Sequence, residues 1–103
     1  MEIARWTTPS VTYKPALVEA ANIDEIVLTV TQGPYAIIKT QADAIITGGR
    51  FYWKLTQEET GGLVLGKTGN LKIDYLSNVG DRYTTQRFIF NVSNSAIDEV
   101  ITI

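Results

Sequence analysis

The chain carries eleven acidic side chains but no histidine and no cysteine, and this limits the chemistry it can attempt. Without histidine there is no side chain that titrates near neutrality as a general base, no Ser-His-Asp arrangement, and none of the commonest metal ligand. Without cysteine there is no disulfide, no thiolate nucleophile and no thiolate-bound zinc. Oxygen chemistry remains, either two carboxylates working as acid and base or a calcium site built from oxygens. Glu58-Glu59 is the nearest approach to a carboxylate pair. Adjacent residues opening a helical turn are better explained by capping and by the favourable dipole at a helix N-terminus. Asp74 and Asp81 lack the Asp-x-Asp-x-Asp spacing of a calcium loop. Gly66-Lys67-Thr68 matches the end of a phosphate-binding loop, yet the pattern after it is a strand rather than a helix, so it reads as a turn. A carboxylate-dependent hydrolase is the weakest of the functional readings.

Aromatic side chains are the other candidates. Residues such as Tyr13, Trp53, Tyr75 and Phe88 fall in alternating runs, where aromatics serve as core or as cross-strand pairs. Tyr52 points away from the face shared by Phe51 and Trp53, and Trp6 lies outside any periodic segment. These two are the candidates for contact with a partner or, in the alternative reading, for stacking on sugars.

The elements that position these residues are short strands. Phe51, Trp53 and Leu55 alternate with Tyr52 and Lys54, which predicts a central strand with one heavily apolar face. It runs into Thr56-x-x-Glu59, a capping box, and Gly61-Gly62 stops the turn at once. Ser10–Lys14 alternates between Pro9 and Pro15. Proline lacks a ladder N–H, so this strand belongs at a sheet edge, with Val11 and Tyr13 on one face. Ile23–Gln32 and Tyr35–Thr40 form a hairpin across Gly33-Pro34, and Gly48-Gly49 turns a short extended piece into the Phe51 strand. Leu71–Tyr75 is a half-buried strand, and Arg82–Val92 is a further strand reached through Asn78–Asp81. Residues 1–8 read as a lead-in arm, and residues 95–103 as a frayed tail in preference to a last helical turn capped by Ser95. One domain over residues 1–103, with 45% apolar residues, is enough for a core without staples. The fold class expected is all-β: a single immunoglobulin-like β-sandwich of six to eight strands with one short helical turn.

No segment has the apolar length of a membrane span, and the start of the chain lacks the pattern of a secretion signal. Nine basic residues against eleven acidic ones, scattered from Lys14 to Arg87, do not make the positive footprint of a nucleic-acid binder. The expectations are no nucleic acid, no membrane, no metal, no cofactor and no catalysis.

The order of segments resembles a family of small proteins from the structural-gene regions of phages and prophages of Gram-positive bacteria. The resemblance rests on Thr7-Thr8-Pro9, on Ile23-Asp24-Glu25-Ile26 through Gln32, on Leu55-Thr56-Gln57-Glu58-Glu59-Thr60, and on Glu99-Val100-Ile101. It covers nearly the whole chain. More loosely, the chain is similar to N-terminal β-sandwich domains of phage baseplate proteins. It departs from the family in carrying Trp6 where those proteins have glycine, and in a glycine-richer Gly61–Gly66 loop. The resemblance implies a virion or virion-assembly protein, made in the bacterial host cytoplasm, whose partners are other phage structural proteins or further copies of itself. It supplies no catalytic residue. Trp6, Val11, Tyr13 and Tyr52 are the expected partner contacts, with Val11 and Tyr13 on a free sheet edge. The alternative is a carbohydrate-binding module for host-surface recognition, which requires Trp6 or Tyr52 to be exposed.

Overall fold

The computed structural model describes residues 1–96, and the expectations placed on Ile97–Ile103 lie outside them. The described residues form nine strands in two packed sheets, with a short α-helix and two single 3-10 turns. The strands are β1 (Glu2–Ala4), β2 (Ser10–Tyr13), β3 (Ile23–Gln32), β4 (Tyr35–Thr40), β5 (Ile45–Thr47), β6 (Arg50–Lys54), β7 (Thr68–Ser77), β8 (Arg82–Thr84) and β9 (Phe88–Ser93); helix α1 is Gln57–Gly61. One sheet runs β1-β9-β7-β3-β4 with β8 also on β7, and the other runs β2-β6-β5. The fold is all-β and open, and neither sheet closes into a barrel.

The core lies between the sheets. Ile26, Leu28 and Val30 of β3, Leu71, Ile73 and Tyr75 of β7, and Phe90 and Val92 of β9 meet Phe51, Trp53 and Leu55 from the smaller sheet. Phe51 and Trp53 project from the same face of β6 and stack with ring centroids 5.9 Å apart. Trp53 donates Nε1–H to the Thr40 carbonyl at 3.0 Å, so the largest core residue leaves no unpaired polar atom there. As its alternation predicts, β6 is the central strand of its sheet, and β2 is an edge.

Turn chemistry follows the glycines. Gly33 (φ 56°) with Pro34 joins β3 to β4, and Gly48 and Gly49 (φ 58° and 73°) join β5 to β6. Both pairs fill two-residue hairpins whose twist demands positive φ.

Two segments differ from expectation. Residues 2–4 are a strand rather than a free arm, paired in parallel with β9. Residues 82–92 are two strands rather than one. Both lie along the same edge of β7, but β8 pairs as Tyr75↔Tyr83 whereas β9 pairs as Leu71↔Phe88, a slip of one residue. Such a slip turns every later side chain to the opposite face. Tyr83 packs inward on β8, and from there the inward set becomes Phe90 and Val92. Thr85 marks the break: its N–H bonds the Ile73 carbonyl, and its Oγ1 accepts the Ile73 N–H.

Candidate interaction surface

The residues around α1 are tied to other elements by several hydrogen bonds and an ion pair. Thr56 Oγ1 accepts the Glu59 N–H at 3.1 Å, and Glu59 Oε1 accepts the Thr56 N–H at 2.8 Å, which completes the predicted capping box. Glu59 also pairs with Lys39 Nζ on β4 at 2.9 Å. Burial opposes its charge, but the Lys39 ammonium and the Thr56 N–H outweigh that and hold the carboxyl below the usual glutamate range. Tyr35 donates its hydroxyl to the Glu59 carbonyl, and burial together with the nearby Glu59 charge raises its pKa.

The segment before β2 is riveted to this helix. Thr60 is fully buried; its hydroxyl donates to the Thr7 carbonyl at 2.8 Å and accepts the Thr7 N–H at 3.0 Å. Arg5 Nη2 donates to the Gly61 carbonyl at 3.1 Å, and the guanidinium lies 5.8 Å from the Trp6 ring centroid. The Trp6 ring covers Gly61 so closely that a methyl on Gly61 would overlap it. Trp6 itself has φ 63°, the left-handed region where a side chain is strained and glycine is not. Trp6 is therefore half-buried as a clamp on α1.

Gln32, at the end of β3, is buried and does the same for the next loop. Its Nε2 donates to the carbonyls of Val64 (3.0 Å) and Lys67 (3.2 Å), and its Oε1 accepts the Val64 N–H at 2.5 Å. This bears on the glycine loop. Gly61 stands five residues before Gly66, so Gly61–Thr68 satisfies the full eight-residue spacing of a phosphate-binding loop, which the tripeptide alone does not reveal. The surroundings are wrong for that role. Helix α1 precedes the loop, strand β7 follows it, Gly61 is buried under Trp6, and the Val64 N–H is taken by Gln32. The loop is a connection between α1 and β7.

The other expected contact residues divide by face. Val11 and Tyr13 share the inward face of β2, in register with Trp53 and Phe51. Tyr13 lies 6.0 Å from Tyr75, which lies 5.1 Å from Tyr83. Burial first, and the neighbouring Tyr75 hydroxyl second, push the Tyr13 phenol up to about 12. These two side chains face the space between the sheets, and what β2 offers outward is its backbone edge with Ser10 and Thr12. Tyr52 is half-buried on the outer face, in register between Thr12 of β2 and Ile45 of β5. Ile45 is 70% exposed and Ile46 47%, both on β5, an edge of the smaller sheet; Ile38 of β4, an edge of the larger sheet, is 62% exposed. Sequence reasoning placed a short extended piece at 42–46 without marking it as an edge. The signal available was two adjacent isoleucines in a strand too short to have both faces covered.

Among the described residues, no group of three or more Asp or Glu side chains could hold a metal, and no helix is long and apolar enough to cross a membrane. What the fold and the surface define is a two-sheet all-β domain with apolar, exposed edge strands and a riveted helix corner. Comparison with protein-family models, with curated proteins and with solved structures gives no match for the chain.

Proposed function

We propose that the chain is a structural subunit of a phage or prophage particle, or of its assembly, which works through protein–protein contact without catalysis. The observation that carries this reading is the use made of the segments on which the resemblance rests. Thr7 of Thr-Thr-Pro and Thr60 of Leu-Thr-Gln-Glu-Glu-Thr exchange two hydrogen bonds, Thr56 and Glu59 cap α1, and Gln32 closes the loop after it. Segments far apart in sequence are thus tied into one corner of the domain, which gives a physical reason for their recurrence in that order. The position where those proteins have glycine has left-handed backbone here, the conformation glycine adopts freely. The apolar edges β4 and β5 supply the surface, since an open edge with exposed isoleucines favours pairing with a neighbour.

The test is quantitative mass spectrometry of density-gradient-purified particles from the host that encodes the chain. The expected result is the chain at a fixed ratio to the major particle proteins, or at a fixed ratio in an assembly intermediate. Its recovery only as free protein, unattached to any particle or precursor, would refute the proposal.

A further inference from the structure

The inward face of the smaller sheet runs past the sheet opposite it. Ile46 shares that face with Phe51, its register partner, yet is 47% exposed where Phe51 is fully buried. Below it, an open slit of about 640 Å³ enters between the sheets, walled by Pro15, Ala20, Ile23 and Ile46, with Lys14 and Glu19 on its lining. One wall is β5, whose outer edge pairs with no described strand. A slit with an apolar wall beside a free strand edge fits an extended, apolar peptide.

The chain contains one segment of that kind beyond the described sandwich. Residues 97–103, Ile-Asp-Glu-Val-Ile-Thr-Ile, include five β-branched side chains, the composition that strands favour. They cannot serve their own slit. Ile23 at the slit is level with Ser77, whereas Asn91 near the end of β9 is level with Thr68. Nine residues of β7 separate those levels, roughly 30 Å at strand rise, and β9 runs on away from the slit. For residues 97–103 to lie there, residues 94–96 would have to bridge that distance from the end of β9, and three extended residues span at most about 11 Å. We infer that the slit beside β5 receives residues 97–103 of a second copy of this chain, which add a strand to β5. The contact is head-to-tail, so each copy donates at one end and accepts at the other, and the association grows unless it closes into a ring. This inference rests on the reading of the chain as an assembly subunit and names its partner.

Sedimentation velocity on the full-length chain tests it with two variants, Ile101→Asp to disable donation and Ile46→Asp to disable the slit. Wild type should show mass above monomer that rises with concentration, and each variant alone should show much less. Mixed in equal amounts, the variants should form a species of dimer mass that stops growing, because only one intact donor and one intact slit remain per pair. An excess of synthetic peptide of residues 97–103 should return wild-type protein to monomer mass, a readout that does not depend on any variant folding. A monomeric wild type, variants that associate undiminished, or a peptide without effect would each overturn the inference. Chain found in purified particles alongside any of those results would leave the structural-subunit reading intact and remove only this mode of contact.

Discussion

The contact between Trp6 and Gly61 yields a quantitative prediction. In Gly61→Ala the added methyl would overlap the Trp6 ring atoms Cζ3, Cε3 and Cδ2. Overpacking of this kind costs about 1–3 kcal/mol. Against it stands the helix preference of alanine over glycine, up to about 1 kcal/mol, at a position whose φ is not left-handed. The net expectation is a loss of about 1–2 kcal/mol, or roughly 4–8 °C in Tm for a domain of this size. Trp6→Gly loses the packing of a half-buried ring but recovers about 1 kcal/mol of backbone strain, so it should be milder than an ordinary aromatic truncation. The double variant is decisive. With the ring gone, Gly61→Ala should become neutral or stabilising, giving a coupling of about 2 kcal/mol between the sites. Urea unfolding followed by circular dichroism measures all four corners of this cycle. If Gly61→Ala costs the same with and without the indole, the clamp does not exist and the reasoning is wrong.

Three further outcomes follow from the same corner and from the core. Glu59→Gln keeps the capping oxygen but loses the charge that faces Lys39. Because the folded carboxyl binds its proton less tightly than the unfolded one, the charge contributes fully above the usual value of 4.5, and the contribution fades as pH falls through the folded value. The variant should lose about 0.5–1 kcal/mol at neutral pH and converge with wild type in acid, as urea titrations at several pH values would show. Gln32→Leu leaves the Val64 N–H and the Val64 and Lys67 carbonyls without their partner, which should cost about 3 kcal/mol and speed tryptic cleavage after Lys67. Trp53→Phe removes the hydrogen bond to the Thr40 carbonyl along with part of the core, and a loss of about 2 kcal/mol in chemical denaturation is expected.

Strands whose reasons are local were legible in the sequence. Phe51-Tyr52-Trp53 alternates, Gly33-Pro34 and Gly48-Gly49 carry turn chemistry, and Thr56 with Glu59 states its cap in four residues. Strand β1 was not legible, because three residues with one buried side chain, Ile3, take their reason to be a strand from β9, far along the chain. The break at Thr85 was hidden for a related reason. The alternation of Phe88, Phe90 and Val92 is genuine, but nothing local to it records that Tyr83 reaches the same face from the opposite parity. The role of Trp6 needed three dimensions: the strain is a backbone angle, and the compensation is a glycine on another element. A second 3-10 turn, Gln41–Asp43, has its own Thr40–Asp43 capping box, a signature of the same kind as Thr56–Glu59 that the sequence reading passed over.

The parallel pairing of β1 with β9 has a mechanical consequence. Glu2↔Asn91, Ile3↔Val92 and Ala4↔Ser93 lie side by side in the same direction, extended by the bonds Asn91 N–H to Met1 O and Arg5 N–H to Ser93 O. Tension drawn between the residues ahead of β1 and those beyond β9 pulls the two strands along their length in opposite directions. Every rung is then loaded in shear at once and must yield together, instead of parting one by one as in a peeled hairpin.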